Sequence, residues 1–271
     1  MTGRDGRLPT FLIIGAMRSG TTALTRYLDA HPQVYMAPEK EVHFFDRHFD
    51  RGADWYRSRF AGADGEPSVG EATQTYMFLP EAIPLIAGML PDAHLVAILR
   101  NPVDRAYSHY WMNRSMGTET RDPGEALTES LDDPAPMFPY VDRGRYVDQL
   151  RRVCEHYPRS SLHVLLFEDL VARPGETFGV LCDFLGIDAA ERPANLGAPV
   201  NQHIEYRSLR LRNISKRLPK PIGNLIGKVN GKTTSYPPMH SDLRKRLSVG
   251  FADDNARLAE WLGRDLAIWD D

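Results

Sequence analysis

The chain has 271 residues, enough for one large domain with a buried core, and its 42% hydrophobic and 25% charged residues are ordinary for a soluble globular protein. The formal net charge of −3 excludes a nucleic-acid-binding polycation, so no nucleic-acid partner is expected. The two cysteines, Cys154 and Cys182, are too few for a disulfide framework or a four-cysteine zinc site.

The N-terminal residues do not resemble a secretion signal. Residues 1–9 are polar and are expected to be flexible, and the apolar run Phe11–Met17 that follows is too short for a signal-peptide core. No stretch approaches the roughly 20 apolar residues that span a bilayer. Together with the low cysteine content, which favours a reducing compartment, these features predict a cytoplasmic protein.

Short apolar runs alternate with helical patterns along the chain. The predicted strands are Thr10–Gly15, Ser68–Ala72, His94–Leu99 and Leu162–Phe167. The predicted helices are Gly20–Ala30, Glu81–Met89, Val103–Met116, Tyr146–His156, Pro174–Leu185 and Ser241–Trp261. Continuous apolar runs are typical of strands buried on both faces, so the alternation predicts an α/β fold with a central parallel sheet flanked by helices.

Two stretches interrupt this alternation. Residues 123–139 are rich in Pro and Asp, which predicts a surface loop, and residues 191–238 are punctuated by Pro and Gly. Core strands flank both stretches, so we interpret them as excursions from a single domain, residues 1–271, that cover the acceptor or the cofactor.

The second excursion contains a basic segment, residues 203–232, with eight lysines and arginines against one glutamate. The segment is either a solvated basic surface or a guide for an anionic ligand. Its Leu and Ile residues also permit peripheral contact with an anionic membrane surface or a lipid acceptor, although Pro219, Pro221 and Gly223 interrupt the pattern.

The strongest local motif is GAMRSGTT, residues 15–22, which follows a buried strand and opens a helix. Backbone amides in such a turn, including those of Ser19 and Gly20, form an anion site. The spacing matches the nucleotide-binding pattern G-x-x-x-x-G-K-[ST], except that Thr21 replaces the lysine that serves a triphosphate. Arg18 and the hydroxyls of Thr21 and Thr22 instead suit a 5′-phosphosulfate, whose bridging oxygen Arg18 would hold.

Two further blocks follow the loop, EKEVHFFD at residues 39–46 and LRNPVDRAYSHY at residues 99–110. In their order and spacing the three blocks resemble those of sulfotransferases that use 3′-phosphoadenosine-5′-phosphosulfate (PAPS), in particular the branch of heparan sulfate sulfotransferases and their bacterial relatives. The resemblance covers most of the chain. It implies a P-loop-like phosphosulfate-binding strand–loop–helix, PAPS as co-substrate, adenosine 3′,5′-bisphosphate as product, and no metal.

The resemblance also assigns roles to individual residues. It implies that Arg100, at the carboxyl end of a strand, and Ser108 bind the 3′-phosphate, and that Lys232 belongs to a loop closing over that phosphate. It implies that Glu41 is the catalytic base, with His43 orienting or binding beside it. A carboxylate next to apolar residues suits that task, but in the small-molecule branch of the family His43 would be the base.

The sequence departs from the family pattern at two positions. Arg18 stands where several relatives carry lysine, and because arginine does not easily give up a proton, electrostatic stabilisation is expected from it. Ala72 stands where the heparan branch can carry a catalytic lysine, so a polysaccharide acceptor is not implied. Asp46 matches an acidic residue at the acceptor site of the relatives.

The sequence therefore predicts in-line transfer of a sulfuryl group to a hydroxyl or amine of a carbohydrate, lipid or other small molecule. One alternative is a nucleotide kinase with a degenerate loop, in which Glu168 and Asp169 are the candidate metal carboxylates. Another is a non-catalytic protein that binds a nucleotide or a lipid. The acceptor, the choice between O- and N-sulfation, and the oligomeric state stay open at this stage.

Overall fold

The structure, a computed structural model, describes residues 6–133, 135–197, 203–206, 231–234 and 236–270, with the backbone alone for 203–206 and 231–234. A five-stranded parallel sheet forms the centre, in the order β2-β3-β1-β4-β5. Its strands are β1 Phe11–Gly15, β2 Val34–Met36, β3 Ser68–Ala72, β4 His94–Leu99 and β5 Leu162–Leu166. The predicted α/β fold is confirmed. Strand β2 was not predicted, because a run of three residues is too short to indicate a strand.

Helices cover the sheet and fill the segments between its strands. They are α1 Thr21–Asp29, α2 Gly52–Ser58, α3 Ala82–Met89, α4 Pro102–Met116, α5 Pro123–Asp132, α6 Tyr146–Cys154, α7 Phe167–Ala172, α8 Pro174–Leu185 and α9 Ser241–Leu262. All six predicted helices are present, with ends shifted by at most two residues. Within the described residues, no helix is long and apolar enough to cross a bilayer.

Both faces of the sheet are buried, as continuous apolar strands require. Leu12 and Ile14 of β1 pack into one core cluster with residues of α3, α6 and α9, and Phe11 and Ile13 pack into another with residues of α1 and α8. All four side chains are fully buried. Burial of one such side chain contributes about 1.5–3 kcal/mol, so the alternation along β1 stabilises both helical layers at once.

The strand order places a crevice at the carboxyl edge of the sheet. From β1 the chain passes to β2 and β3 on one side, whereas β4 lies on the other side of β1 and continues to β5. Ligands of open α/β sheets bind where the strand order diverges in this way. The segments that leave the sheet at this edge include the loop after β1, residues 73–76 after β3, and Arg100 after β4.

The prediction of a surface loop at residues 123–139 is wrong for the first ten residues, which form α5. Asp122 caps this helix by accepting a hydrogen bond from the Gly124 N–H at 2.7 Å, and Pro123 occupies its first position. Ala126 and Leu127 are buried against the rest of the domain. The Asp and Pro content of this stretch suggested a loop, but Asp122 caps the helix and Pro123 lies in its first turn.

The other excursion is partly structured. Strands β6 His203–Tyr206 and β7 Gly231–Thr234 form an antiparallel pair, in which Glu205 lies opposite Lys232. The remainder of the basic segment lies outside the described residues, as do the side chain of Lys232 and residues 1–5 of the predicted flexible N-terminus. The predictions made for them stay predictions.

Candidate active site

The GAMRSGTT motif forms the tight connection between β1 and α1. Gly20 caps the helix with φ of +99°, and a Cβ there would come within 2.7 Å of the Phe167 ring. Only glycine fits, because the position needs both the left-handed region and a close approach to an aromatic side chain. Ser19 is buried, whereas Thr22 is half-buried in the first turn of α1, where the helix presents its free N–H groups.

The structure brings Arg18, Arg100 and Ser108 together at the mouth of the crevice. The Arg18 guanidinium donates to Ser108 Oγ at 3.0 Å and to the Tyr236 hydroxyl at 2.8 Å. Arg100 Nη1 lies 3.4 Å from the Arg18 carbonyl oxygen, and its guanidinium lies 5.1 Å from the centre of the Phe167 ring. Three segments distant in sequence therefore place two cations and two hydroxyls side by side, a donor set that suits a phosphate.

Tyr236 completes this group, and sequence reasoning missed it. Its hydroxyl lies 3.2 Å from Ser108 Oγ, and its ring stacks on Trp111 with centroids 5.9 Å apart. The residue lies in a Pro-punctuated stretch with no periodic pattern, so the sequence carried no signal for it.

The EKEVHFFD block places Glu41, His43 and Asp46 in one hydrogen-bonded chain. His43 Nδ1 donates to Asp46 Oδ2 at 2.9 Å, and His43 Nε2 lies 3.4 Å from Glu41 Oε2. Glu41 and His43 have φ of +60° and +54°, in the left-handed region where side chains with a Cβ are strained. Such strain costs about 1–3 kcal/mol per residue and is typical of functional sites.

The two carboxylates hold His43 as a cation. Hydrogen bonds from His43, first to Asp46 and then to Glu41, raise the pKa of the imidazole from 6.5 to about 9. Burial opposes ionisation of Asp46, but the hydrogen bonds from His43 and Thr75 outweigh it and lower its pKa. The imidazolium therefore predominates at pH 7, and this geometry favours Glu41 over His43 as the base.

The strained turn is fixed by polar groups at the carboxyl end of β3. The Tyr76 hydroxyl accepts hydrogen bonds from the backbone N–H groups of Phe44 and Phe45, at 2.9 and 3.3 Å. The same hydroxyl donates to the carboxyl of Glu71 at 3.0 Å, to which Tyr56 also donates at 2.9 Å. Burial raises the pKa of Glu71, since this carboxyl is fully enclosed.

Gln74 and Lys40 are further residues that the sequence did not single out. Gln74 Nε2 donates to Glu41 Oε1 at 2.6 Å, and its amide oxygen lies 3.5 Å from Thr21 Oγ1. Lys40 Nζ donates to Thr22 Oγ1 at 2.7 Å. Gln74 follows the end of β3 by two residues, so the rule that ligands lie at the carboxyl ends of strands was the available signal.

A cleft of about 450 Å³ joins these groups, a volume in the range of small-molecule sites. Its lining includes residues predicted from the sequence and others that were missed, among them Arg18, Gly20, Thr21, Thr22, Lys40, Glu41, Gln74, Arg100, Ser108 and Tyr236. The cleft therefore runs from the phosphate loop past the Arg100–Ser108 pair to the Glu41 carboxylate.

The carboxylates that a kinase would need are engaged elsewhere. Asp169 accepts hydrogen bonds from Arg264 at 2.9 Å and from Arg173 at 3.1 Å, and those from Arg264 first, then from Arg173, lower its pKa against the opposing effect of burial. Glu168 accepts a hydrogen bond from the Asn101 N–H at 2.8 Å, which ties α7 to the start of α4. Both residues serve the packing around β4 and β5, which speaks against the kinase alternative.

Comparison with known proteins gives a consistent picture. The family model described as "Sulfotransferase domain" matches residues 8–220. The mouse (Mus musculus) protein "Heparan sulfate glucosamine 3-O-sulfotransferase 6" is 30% identical over 278 residues, which cover 97% of this chain and 74% of that protein.

Solved structures agree with the sequence matches. A sulfotransferase from Alicyclobacillus acidocaldarius superposes with a TM-score of 0.75 at 30% identity and covers 98% of this chain and 100% of its own. A mouse sulfotransferase complexed with PAP superposes with a TM-score of 0.59, covering 96% of this chain and 88% of its own. The latter is 15% identical and shows likeness of fold alone.

Proposed function

This chain belongs to the sulfotransferase family, as its motifs predicted, and we propose that it transfers the sulfuryl group of PAPS to a hydroxyl or amine of an acceptor. The observation that carries the proposal is the cleft itself. Its lining includes the phosphate loop, a second cationic site at Arg100 and Ser108, and the carboxylate of Glu41.

Two separate anion sites suit the donor. The loop and the first turn of α1 would bind the 5′-phosphosulfate through backbone N–H groups and the hydroxyls of Thr21 and Thr22. Arg100 and Ser108 would bind the 3′-phosphate, the group that distinguishes PAPS from ATP and AMP. Arg18 stays a predicted donor ligand, and its guanidinium lies on the Ser108 side of the cleft. The match to the sulfotransferase family model supports PAPS as the donor.

Glu41 would take the acceptor's proton. As the acceptor oxygen or nitrogen attacks sulfur, its proton passes to the Glu41 carboxylate, and the bond between sulfur and the phosphate oxygen breaks with its electrons staying on the phosphate. Protonated His43, 3.4 Å from Glu41 Oε2, and the Gln74 amide, 2.6 Å from Oε1, would orient that carboxylate. His43 would act as a positioning residue, since it is a cation near neutral pH.

The acceptor is proposed only as a class. The relative named for glucosamine 3-O-sulfation supports a sugar hydroxyl. Ala72 is a buried residue at the end of β3 and places no ionisable group at the position of the heparan-branch lysine. A smaller sugar, a lipid or another small molecule therefore stays within the proposal, as the sequence predicted.

Calorimetric titration with adenosine 3′,5′-bisphosphate, in the absence of metal, tests the donor assignment. We expect binding at least tenfold tighter than that of AMP, about 1.4 kcal/mol. Arg100→Ala should remove the preference, and Arg151→Ala, an exposed arginine on α6, should leave it unchanged. Equal binding of the two nucleotides by the wild-type protein would contradict the proposal. Transfer of labelled sulfate from PAPS to a panel of sugars, lipids and phenols would then identify the acceptor.

A further inference from the structure

The cations of the cleft are unevenly placed. Arg18 points to Ser108 and Tyr236, and Arg100 lies against the Arg18 carbonyl and the Phe167 ring. Both guanidinium groups therefore lie on the side proposed for the 3′-phosphate. On the other side, the Thr21 hydroxyl lies 3.5 Å from the amide oxygen of Gln74, and Gln74 donates to the Glu41 carboxylate, beside which the reacting sulfur would have to be.

Among the described residues that line the cleft, Lys40 is the cation on that second side. Its ammonium donates to Thr22 Oγ1 at 2.7 Å and lines the same cleft as Glu41. The neighbouring Glu39 is turned to Arg59, which donates to its carboxylate at 2.9 Å. In the part of the chain that the structure describes, no carboxylate oxygen lies within 4.0 Å of the Lys40 ammonium in an ion pair, so its charge is held by a neutral hydroxyl.

We propose that Lys40 is a catalytic residue that contacts the sulfuryl group and the oxygen linking it to the 5′-phosphate. The inference rests on the proposed function. As the acceptor attacks, the sulfur–oxygen bond to the 5′-phosphate breaks and its electron pair stays on that oxygen, while the acceptor's proton passes to Glu41. Lys40 stabilises the negative charge that develops on the departing phosphate oxygen, and it gives up no proton in the step.

The placement suits an ammonium group. Lysine carries a compact charge on a flexible stem, so Lys40 can exchange the Thr22 hydroxyl for a nearby sulfuryl or phosphate oxygen with a small movement. Its position beside Thr22 also separates it from Arg18, which is held by two hydrogen bonds at the other end. A cation aimed at charge that grows in the transition state accelerates the reaction more than it tightens ground-state binding.

Lys40→Met tests the assignment with two separate readouts. We expect kcat at saturating donor and acceptor to fall by about 100-fold or more, as for the loss of other groups that stabilise developing charge. The affinity for adenosine 3′,5′-bisphosphate, whose 5′-phosphate carries the full charge on the departed oxygen, should fall by more than the affinity for PAPS, in which that oxygen is still bonded to sulfur. Lys40→Arg should restore part of kcat. Lys245→Met, an exposed lysine on α9, is the matched control and should behave as wild type.

The outcomes separate this inference from the proposed function. If wild-type protein transfers sulfate and Lys40→Met transfers it at an undiminished rate, the role of Lys40 is refuted while the proposed function stands. An unchanged affinity for the bisphosphate would also refute it, because Lys40 would then make no contact with the oxygen on which the charge develops. If wild-type protein neither prefers the bisphosphate over AMP nor transfers sulfate, the proposed function itself fails.

Discussion

Replacement of Asp46 by asparagine tests whether His43 is the cation that orients Glu41. Asparagine keeps the shape of the side chain and an oxygen acceptor but removes the negative charge. In the wild-type protein the Asp46 carboxylate accepts hydrogen bonds from His43 at 2.9 Å and from Thr75 at 2.6 Å. These contacts make Asp46 the largest cause of the raised pKa of His43, ahead of Glu41.

The size of the effect follows from that order. The pKa of His43 is raised from 6.5 to about 9, and Asp46 contributes more to the rise than Glu41 does. Its loss should therefore lower the pKa by at least about one unit, equivalent to about 1.4 kcal/mol of coupling between the two side chains. Because 14% of the His43 side chain is exposed, solvent weakens its interaction with Asp46, and we expect a decrease in the pKa close to this lower bound.

The same coupling predicts a pH dependence of stability. Because the pKa of His43 is higher in the folded protein than in the unfolded chain, its contribution is fully present below about pH 6.5. It is lost as the pH rises through about 9. Denaturant unfolding should therefore show wild-type stability falling across this window and Asp46→Asn falling less.

Titration of His43 by NMR is the direct assay, with its resonance assigned by comparison with His43→Gln. Asp50→Asn, which removes an exposed carboxylate from the same segment, is the matched control. A wild-type pKa near 6.5, or an unchanged pKa in Asp46→Asn, would refute the reasoning. In transfer to a hydroxyl acceptor, a rate that rises tenfold per pH unit between pH 7 and 9, and whose rise moves to lower pH in Asp46→Asn, would identify neutral His43 as the base and exclude the role given to Glu41.

The remaining predictions concern the supports of Glu41. Gln74→Leu removes the amide that donates to Glu41 Oε1 at 2.6 Å. The kcat for transfer should therefore fall about 10–100-fold, while the affinity for adenosine 3′,5′-bisphosphate stays unchanged. A wild-type kcat would contradict a positioning role for Gln74. Tyr76→Phe removes the hydroxyl that joins Glu71 to the Phe44 N–H and leaves buried polar groups unpaired, so the free energy of unfolding should fall by about 1–3 kcal/mol in denaturant titrations. Unchanged stability would show that other groups satisfy Glu71.

The elements that sequence predicted best are those with continuous apolar runs. β1, β4 and β5 were predicted within a residue of their ends, because burial on both faces leaves no polar position within the strand. β2 is apolar but has only three residues, too few to indicate a strand, and β6 and β7 consist mostly of polar residues. α5 was misread because its Pro and Asp were counted as loop residues when their positions made them helix-starting signals.

The candidate site divides in the same way. The phosphate loop, Arg100 and Glu41 could be found from sequence, since each lies in a local motif whose residue types suit a specific chemistry. Their convergence in one cleft is new information, and so is the direction in which Arg18 points. Side-chain direction depends on which partners the fold brings near, and the partners of Arg18, Ser108 and Tyr236, lie 90 and 218 residues later in the chain.

By itself the sequence determined the α/β fold through its local patterns of burial, and through its motifs it indicated the family and the residues proposed to bind an anionic donor. Only the tertiary structure decided which charges act on one another. Gln74 reaches Glu41 across 33 residues, and Lys40 reaches Thr22 across 18. Parallel strands bring such distant segments to one edge of the sheet, and because electrostatic interactions depend on the distances set there, the charge state of His43 and the position of the cations belong to the fold.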